Sequence, residues 1–237
     1  MVAANYAPML ATGATIKIAL LERGDTAEPT ATTITLASEV AQNLAGPGSI
    51  AVPALATGVK IPANASLSWE DPAAGGVVPT KVTTKAEATD TTIATVNIPQ
   101  TIPSGSVAKW PPELEIRTGF NVDRSGNTVD YVTLRSNQQS QILVSVSGTM
   151  SFDGFFSPLD AAYRMLEEAQ NTPLFVYVIL EMPKSSVNVA TGKIFKGLAS
   201  VTGIPLDGAG AGIIGANVTL GAASGGWTVT EEVFAAE

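Results

Sequence analysis

Residues 141–230 constrain the fold more than any other part of the chain. At the start of this segment apolar side chains alternate with polar ones, which predicts a β-strand with one covered face. The apolar face of this strand consists of Ile142, Val144, Val146, Met150 and Phe152. The polar face consists of Ser145, Ser147, Thr149, Ser151 and Asp153.

A helix is predicted to follow over residues 157–170. Ser157 can cap the free N–H groups at its start, and Pro158 suits the first helical position, where no N–H is needed. Helical spacing predicts that one side packs, through Leu159, Ala162, Tyr163 and Leu166. The side predicted to face outward carries Arg164, Glu167 and Glu168. Asn171, Thr172 and Pro173 end the helix.

More strands are predicted after the helix. Residues 174–182 form a continuous apolar run, typical of a strand that is covered on both faces, and we expect it to be the most buried segment. The further predicted strands are residues 193–204, 213–220 and 227–230.

Strands are also predicted upstream. The first is residues 14–21, which a turn at Arg23, Gly24 and Asp25 closes. Another begins at residues 114–118. A hairpin is then predicted from residues 120–123 and 128–134, with its turn at residues 124–127, because Ser-Gly-Asn is common in turns.

Residues 26–112 differ in character, being rich in Thr, Ala and Pro, and they contain an internal repeat. Residues 49–69 align with residues 92–110, and each copy ends at a tryptophan, Trp69 or Trp110. We predict a β-rich insertion whose prolines place its strands at sheet edges. Residues 1–25 and 113–237 would then form one domain, with residues 26–112 inserted into it.

Composition excludes several function classes. Charged residues make up only 14% of the 237, against about 25% in ordinary globular domains, which favours a surface covered by neighbouring subunits. The formal charge of −8 argues against nucleic-acid binding. Because the chain has neither cysteine nor histidine, it has no thiolate chemistry and lacks the commonest general base and metal ligand. We also expect no signal peptide, no membrane partner, and synthesis in the cytoplasm.

Few residues suggest chemistry, and we predict no catalytic residue, cofactor or metal. The glycine-rich residues 207–212 precede a predicted strand, so a hairpin or inter-subunit loop is favoured over a nucleotide site. Two carboxylate pairs, Glu113 with Glu115 and Asp123 with Asp130 across the predicted hairpin, are more typical of a solvated surface. The tryptophans Trp69, Trp110 and Trp227 are interpreted as packing residues, with a sugar-binding platform as the alternative.

The order of these elements resembles the phage major tail tube proteins. The resemblance rests on SVSGTMSFDGFF, SPLDAAYRMLEEAQNTP, LFVYVILEMP and GKIFKGLASVTGIPLDGAGAGIIGANVTLGAAS, over about the last 100 residues. It implies a mainly β fold, a β-sandwich with one short flanking α-helix. It also implies homo-hexameric rings that stack into a hollow tube for DNA ejection. The implied further partners are sheath, tape-measure and baseplate proteins, and the implied location is the virion tail, after assembly in the host cytoplasm.

The insertion at residues 26–112 lies outside the minimal family pattern, so we expect an external decoration domain or contacts between rings. The acidic balance fits a surface past which DNA slides without binding. The alternatives are another virion or secretion-tube component, such as a capsid decoration protein, and a carbohydrate-binding or adhesive module built on the repeat. An enzyme is the last alternative.

Overall fold

A computed structural model describes residues 14–115, 119–132, 139–155, 159–182, 191–204, 206–208, 214–223 and 226–233. The predicted fold class, mainly β with one short helix, is confirmed. In the described part of the chain the helix is α1 (Ala161–Asn171). The strands there are β1 (Thr15–Leu20), β2 (Thr32–Thr35), β3 (Gly48–Ala51), β4 (Lys60–Ile61), β5 (Ser66–Glu70), β6 (Val77–Lys81), β7 (Ala86–Glu87), β8 (Thr92–Thr95), β9 (Val107–Trp110), β10 (Glu113–Glu115), β11 (Gly119–Val132), β12 (Gln139–Phe155), β13 (Val176–Glu181), β14 (Thr191–Gly203), β15 (Leu206–Gly208), β16 (Ile214–Ala222) and β17 (Thr228–Val233).

The largest sheet has nine antiparallel strands, in the order β10-β1-β13-β14-β16-β12-β11, while β15 pairs with β16 and β17 pairs with β14. The predicted strands at residues 14–21, 114–118, 174–182, 193–204, 213–220 and 227–230 correspond, in their described residues, to strands of this sheet. Residues 116–118 and 213 lie outside the described residues. The central strand β13 is deeply covered, since Val176, Val178 and Leu180 are fully buried. The strand is confirmed, but the expectation that residues 174–182 are the most buried segment is wrong. Within that run Phe175 is exposed and Ile179 is only partly buried, whereas six of the eight residues 14–21 are buried.

The strands of residues 26–112 form three smaller sheets, a four-stranded one in the order β2-β9-β5-β6 and two pairs, β3-β8 and β4-β7. Among the described residues, these strands pair only with one another. Pro79 lies in β6, which is an edge strand, as predicted for the prolines. One hydrophobic core cluster contains Ile18 and Leu180 of the large sheet together with Leu67 and Ile93 of the insertion. The two-domain division therefore stays a prediction.

The repeat has a structural counterpart in the pairing of these strands. Ile50 and Ile93, which are equivalent in the two copies, lie directly opposite each other in the β3-β8 pair. The terminal strands of the copies, β5 and β9, are neighbours at the centre of the four-stranded sheet. Strand β2, before the first copy, pairs with β9 of the second, and β6, before the second copy, pairs with β5 of the first. The two copies are therefore interlocked about an approximate twofold axis.

Backbone conformation repeats with the sequence. Asn64 and Gly105 are equivalent in the two copies, and both have a left-handed backbone, with φ of 67° and 83°. Asparagine and glycine are the residues that tolerate this conformation best. The Asn64 N–H donates to the carbonyl of Val82 at 2.9 Å, and the Gly105 N–H donates to the carbonyl of Leu36 at 2.8 Å. These matched bonds show that the repeat extends upstream to include β2 and β6.

The predicted hairpin turn at residues 124–127 is wrong. Strand β11 runs straight through these residues and pairs along its whole length with β12. The pairing shifts by one residue, because Asn127 is opposite Ser145 while Thr128 is opposite Leu143. The extra residue at this irregularity is Val144, so β12 is the bulged strand and the Ser-Gly-Asn sequence of β11 lies next to the position opposite the bulge.

The predicted start of the helix is also wrong. Helix α1 begins at Ala161 and its N-cap is Asp160, whose carboxylate accepts from the N–H groups of Ala162 at 2.8 Å and Tyr163 at 3.2 Å. Leu159 precedes the cap and is exposed, so it is not part of the packed side. Ser157 and Pro158 lie outside the described residues. The remaining predicted packing residues, Ala162, Tyr163 and Leu166, are buried.

Candidate assembly surface

A long two-stranded arm extends from the large sheet. The second half of β12, residues 149–155, lies between β11 and β16. Residues 139–148 of β12 pair with residues 124–132 of β11 and, within the described parts of the chain, with no other strand. At about 3.3 Å per residue this arm is roughly 30 Å long. A two-stranded pair is marginally stable in water by itself, so packing of another element or another chain against the arm would stabilise it.

Trp227 packs at the root of the arm. Its side chain is 2% exposed and lies against the backbones of Gly148 on β12 and Gly197 on β14. A Cβ atom on Gly148 would lie 2.8 Å from Cδ1 of Trp227, and one on Gly197 would lie 3.4 Å from its Cε3. The indole therefore fills the gap between β12 and β14 where β16 no longer separates them. The sequence signal for this contact is a glycine in an alternating strand, and our sequence analysis missed it.

Strand β11 is the outermost strand of the nine-stranded sheet and has 14 residues. Isolated proteins protect such edges with lysine, proline or short length. Strand β11 has neither lysine nor proline, and its charged residues are Asp123, Arg124 and Asp130. Asn121 and Asp123 are exposed. The strand is therefore a long edge without lysine or proline that a neighbouring chain could pair with.

Where its side chains are described, at Ser147, Thr149 and Ser151, the polar face of β12 beside this edge is uncharged. Ser147 and Thr149 are exposed, while Met150 and Phe152 on the opposite face are buried. This confirms the predicted alternation where the side chains are described. Residues 139–146 carry no charge either. These uncharged residues add no local like-charge repulsion if two copies pack along this part of β12.

Most described lysines are neutralised by glutamates within the chain. The ion pairs are Lys17–Glu181 at 2.6 Å, Lys81–Glu168 at 2.8 Å, Lys85–Glu87 at 2.6 Å, Lys85–Glu22 at 3.2 Å, Lys109–Glu113 at 3.0 Å and Lys196–Glu28 at 2.9 Å. Hydrogen bonds to Glu87 and Glu22 raise the pKa of Lys85, and a hydrogen bond to Glu113 raises the pKa of Lys109. Among the described residues, these pairs place a glutamate beside each of five lysines.

The predicted carboxylate pairs do not converge on a cleft. Asp123 and Asp130 lie on the same strand, opposite Thr149 and Gln141, so the expectation that they face each other across a hairpin is wrong. Glu113 lies on β10 and binds Lys109. It shares that strand with Glu115, and the binding of Glu113 to a lysine is typical of a surface ion pair.

The glycine-rich segment forms the predicted hairpin. Asp207 and Gly208 of β15 pair with Gly215 and Ile214 of β16, whereas residues 209–212 lie outside the described residues. The following element is a strand, so no helix N-terminus is available there for a phosphate. A nucleotide site at this hairpin is therefore disfavoured.

The three tryptophans are packed inside the protein. Trp69, Trp110 and Trp227 are at most 2% exposed, and Nε1 of Trp69 donates to Oγ1 of Thr80 at 3.0 Å. A sugar platform needs exposed aromatic faces. Their interpretation as packing residues is confirmed.

Other perturbed groups have structural explanations. Burial raises the pKa of Tyr163 and of Tyr177 to about 12, and Glu167 and Glu28 add to the respective shifts. Burial also raises the pKa of Asp160, the helix cap. The described residues contain no group of three or more carboxylates placed to hold a metal. Whether the protein is an enzyme remains a matter of prediction.

Neither a protein-family model nor a curated protein matches the sequence. In the described part of the chain, no helix is both long and apolar enough to span a bilayer.

Proposed function

We propose that this chain is the structural subunit of a phage tail tube, in which six copies close into a ring and the rings stack into a hollow conduit for DNA ejection. The observation that carries the proposal is the arm of residues 124–132 and 139–148, a stretch of roughly 30 Å in which, among the described residues, β11 and β12 pair only with each other. An arm of this length gains stability when neighbouring copies cover it.

The edge of β11 supports the same proposal. A 14-residue outer strand leaves a row of backbone N–H and C=O groups for pairing. A closed ring satisfies every such edge with the next copy, because the same surface meets its complement around the whole circle. The low charge content of the chain agrees with extensive burial between subunits.

The acidic balance supports the conduit role. A net charge of −8 per copy gives a ring with a strongly negative field, and like charge keeps DNA from adhering to the wall. Neutralising the acids of the lumen, once these are mapped, should slow DNA ejection or trap DNA in the tube. Unchanged ejection kinetics would count against this part of the proposal.

Assembly in solution tests the proposal. Analytical ultracentrifugation over a wide concentration range should show hexamers and larger multiples of six. A trimer that does not grow would instead favour a capsid decoration protein.

A further inference from the structure

We propose that the insertion holds the first turn of α1 in place, through a contact between Ser68 and the helix start that we call the clasp. The hydroxyl of Ser68, on β5, accepts from the N–H of Ala161 at 3.0 Å and donates to the carbonyl of Leu159 at 2.8 Å. Ser68 is 93 residues away from Ala161 in sequence. The clasp is a property of the single subunit and does not depend on ring formation.

The clasp completes the hydrogen bonding of the helix start. The first N–H groups of a helix have no partner within the helix. Asp160 satisfies those of Ala162 and Tyr163, and the Arg164 N–H donates to the carbonyl of Asp160 at 3.1 Å. The Ala161 N–H is left for Ser68. The cap is therefore formed jointly by the helix's own Asp160 and by a serine of the insertion.

A second contact joins the insertion to the same helix two turns later. Lys81, at the end of β6, forms an ion pair with Glu168 at 2.8 Å, and both side chains are largely covered. The buried face of α1, which includes Met165 and Leu166, belongs to the shared core. Helix α1 packs against β1, β10 and β14 of the large sheet as well as against β5.

Because α1 contacts both parts, undocking the insertion exposes the Ala161 N–H and breaks the Lys81–Glu168 pair. Formation of the first turn of α1 and packing of the insertion against α1 should consequently be coupled, so that both are lost together. This differs from a decoration domain that is only tethered at its ends.

Hydrogen–deuterium exchange of the full-length chain tests the clasp. Ser68→Ala should speed exchange of amides 161–163 by about fivefold, the effect of losing one ordinary hydrogen bond. Ser68→Thr, which keeps the hydroxyl, should restore slow exchange. Thr33→Ala is the matched control, because Thr33 is an exposed hydroxyl on β2 of the same sheet.

Coupling requires the reverse effect as well. Asp160→Ala, which opens the helix from its own side, should speed exchange in residues 66–70 of β5. Two results would overturn the proposal. One is unchanged exchange at residues 161–163 in Ser68→Ala. The other is an equal increase in α1 and in the β11-β12 pair, which would indicate a general loss of stability.

Discussion

Ile50 and Ile93 hold the same position in the two copies of the repeat, and they are direct partners across the β3-β8 pair. Both side chains are fully buried. An approximate twofold axis therefore passes between them, and the two halves of the insertion complete each other.

The first prediction concerns this isoleucine pair. Ile50→Ala and Ile93→Ala should each cost about 2–5 kcal/mol of unfolding free energy, because each leaves a cavity. Urea denaturation of both single variants and the double variant gives the coupling. Since the two sites share one cavity, the double variant should lose less than the sum of the single losses. Strict additivity would contradict direct packing of the pair.

The second prediction compares the equivalent tryptophans. Trp69 donates to Thr80, whereas Nε1 of Trp110 is buried with no hydrogen-bond partner among the described residues, because Ile34 occupies the place that corresponds to Thr80. Trp69→Phe should therefore be more destabilising than Trp110→Phe by about 1 kcal/mol in urea denaturation. When Thr80→Val is present in both variants, the two tryptophan substitutions should differ much less, because Trp69 then has no acceptor to lose. Equal losses in the two phenylalanine variants would be inconsistent with this account.

The third prediction concerns the root of the arm. Gly148→Ala should cost about 1–3 kcal/mol, because its Cβ would lie 2.8 Å from the Trp227 ring and 3.2 Å from the carbonyl oxygen of Asp123. Gly221→Ala is the control, since its nearest neighbour is Cγ2 of Thr202, at 3.3 Å. Thermal unfolding followed by tryptophan fluorescence measures both. A Gly148→Ala variant as stable as the control would contradict the packing of Trp227.

The fourth prediction concerns pH and Asp160. Burial raises its pKa above the ordinary 3.8, so the folded state favours the neutral carboxyl. This contribution to stability is fully present below the unfolded pKa and is lost as pH rises through the folded pKa. Asp160→Asn keeps an oxygen acceptor and should flatten the pH dependence of stability in that window.

At pH 7 Asp160→Asn should be at least as stable as the natural chain, whereas Asp160→Ala should lose about 1 kcal/mol. Urea midpoints at pH 3 to 7 measure both variants. If Asn and Ala prove equally damaging at pH 7, the cap depends on the negative charge itself.

The fifth prediction concerns the outer edge of β11. Asn121→Lys places a charge on the exposed edge and should block assembly while leaving the melting temperature of the subunit within a few degrees. Thr33→Lys on the insertion is the control for added charge. Sedimentation at high concentration reports the outcome. Normal assembly of the Asn121→Lys variant would exclude this edge from the interface.

Sequence alone predicted the strands whose patterns are local. The alternation around Met150 and Phe152 and the apolar run ending at Leu180 both gave strands, because burial on one face or both leaves its period in the sequence. The repeat was visible too. The pairing of β2 with β9 was not predicted, because nothing in the sequence near β2 indicates that it pairs with a strand of the second copy of the repeat.

The errors in the hairpin turn and in the helix start have different physical causes. The Ser-Gly-Asn sequence around Gly126 is common in turns, and only pairing with the long strand β12 shows that β11 continues through it. At the helix start, the cap Asp160 competes with Ser157 as a local capping signal, whereas the bond from the Ala161 N–H to Ser68 joins residues far apart in sequence. The residues of the candidate assembly surface could not be predicted from sequence. The arm begins where β16 stops pairing with β12, and this point depends on the tertiary structure.

Electron microscopy of the purified chain at high concentration tests the central claim most directly. We predict hollow six-membered rings that stack into tubes. A chain that remains a monodisperse monomer at every concentration would contradict the tail tube account.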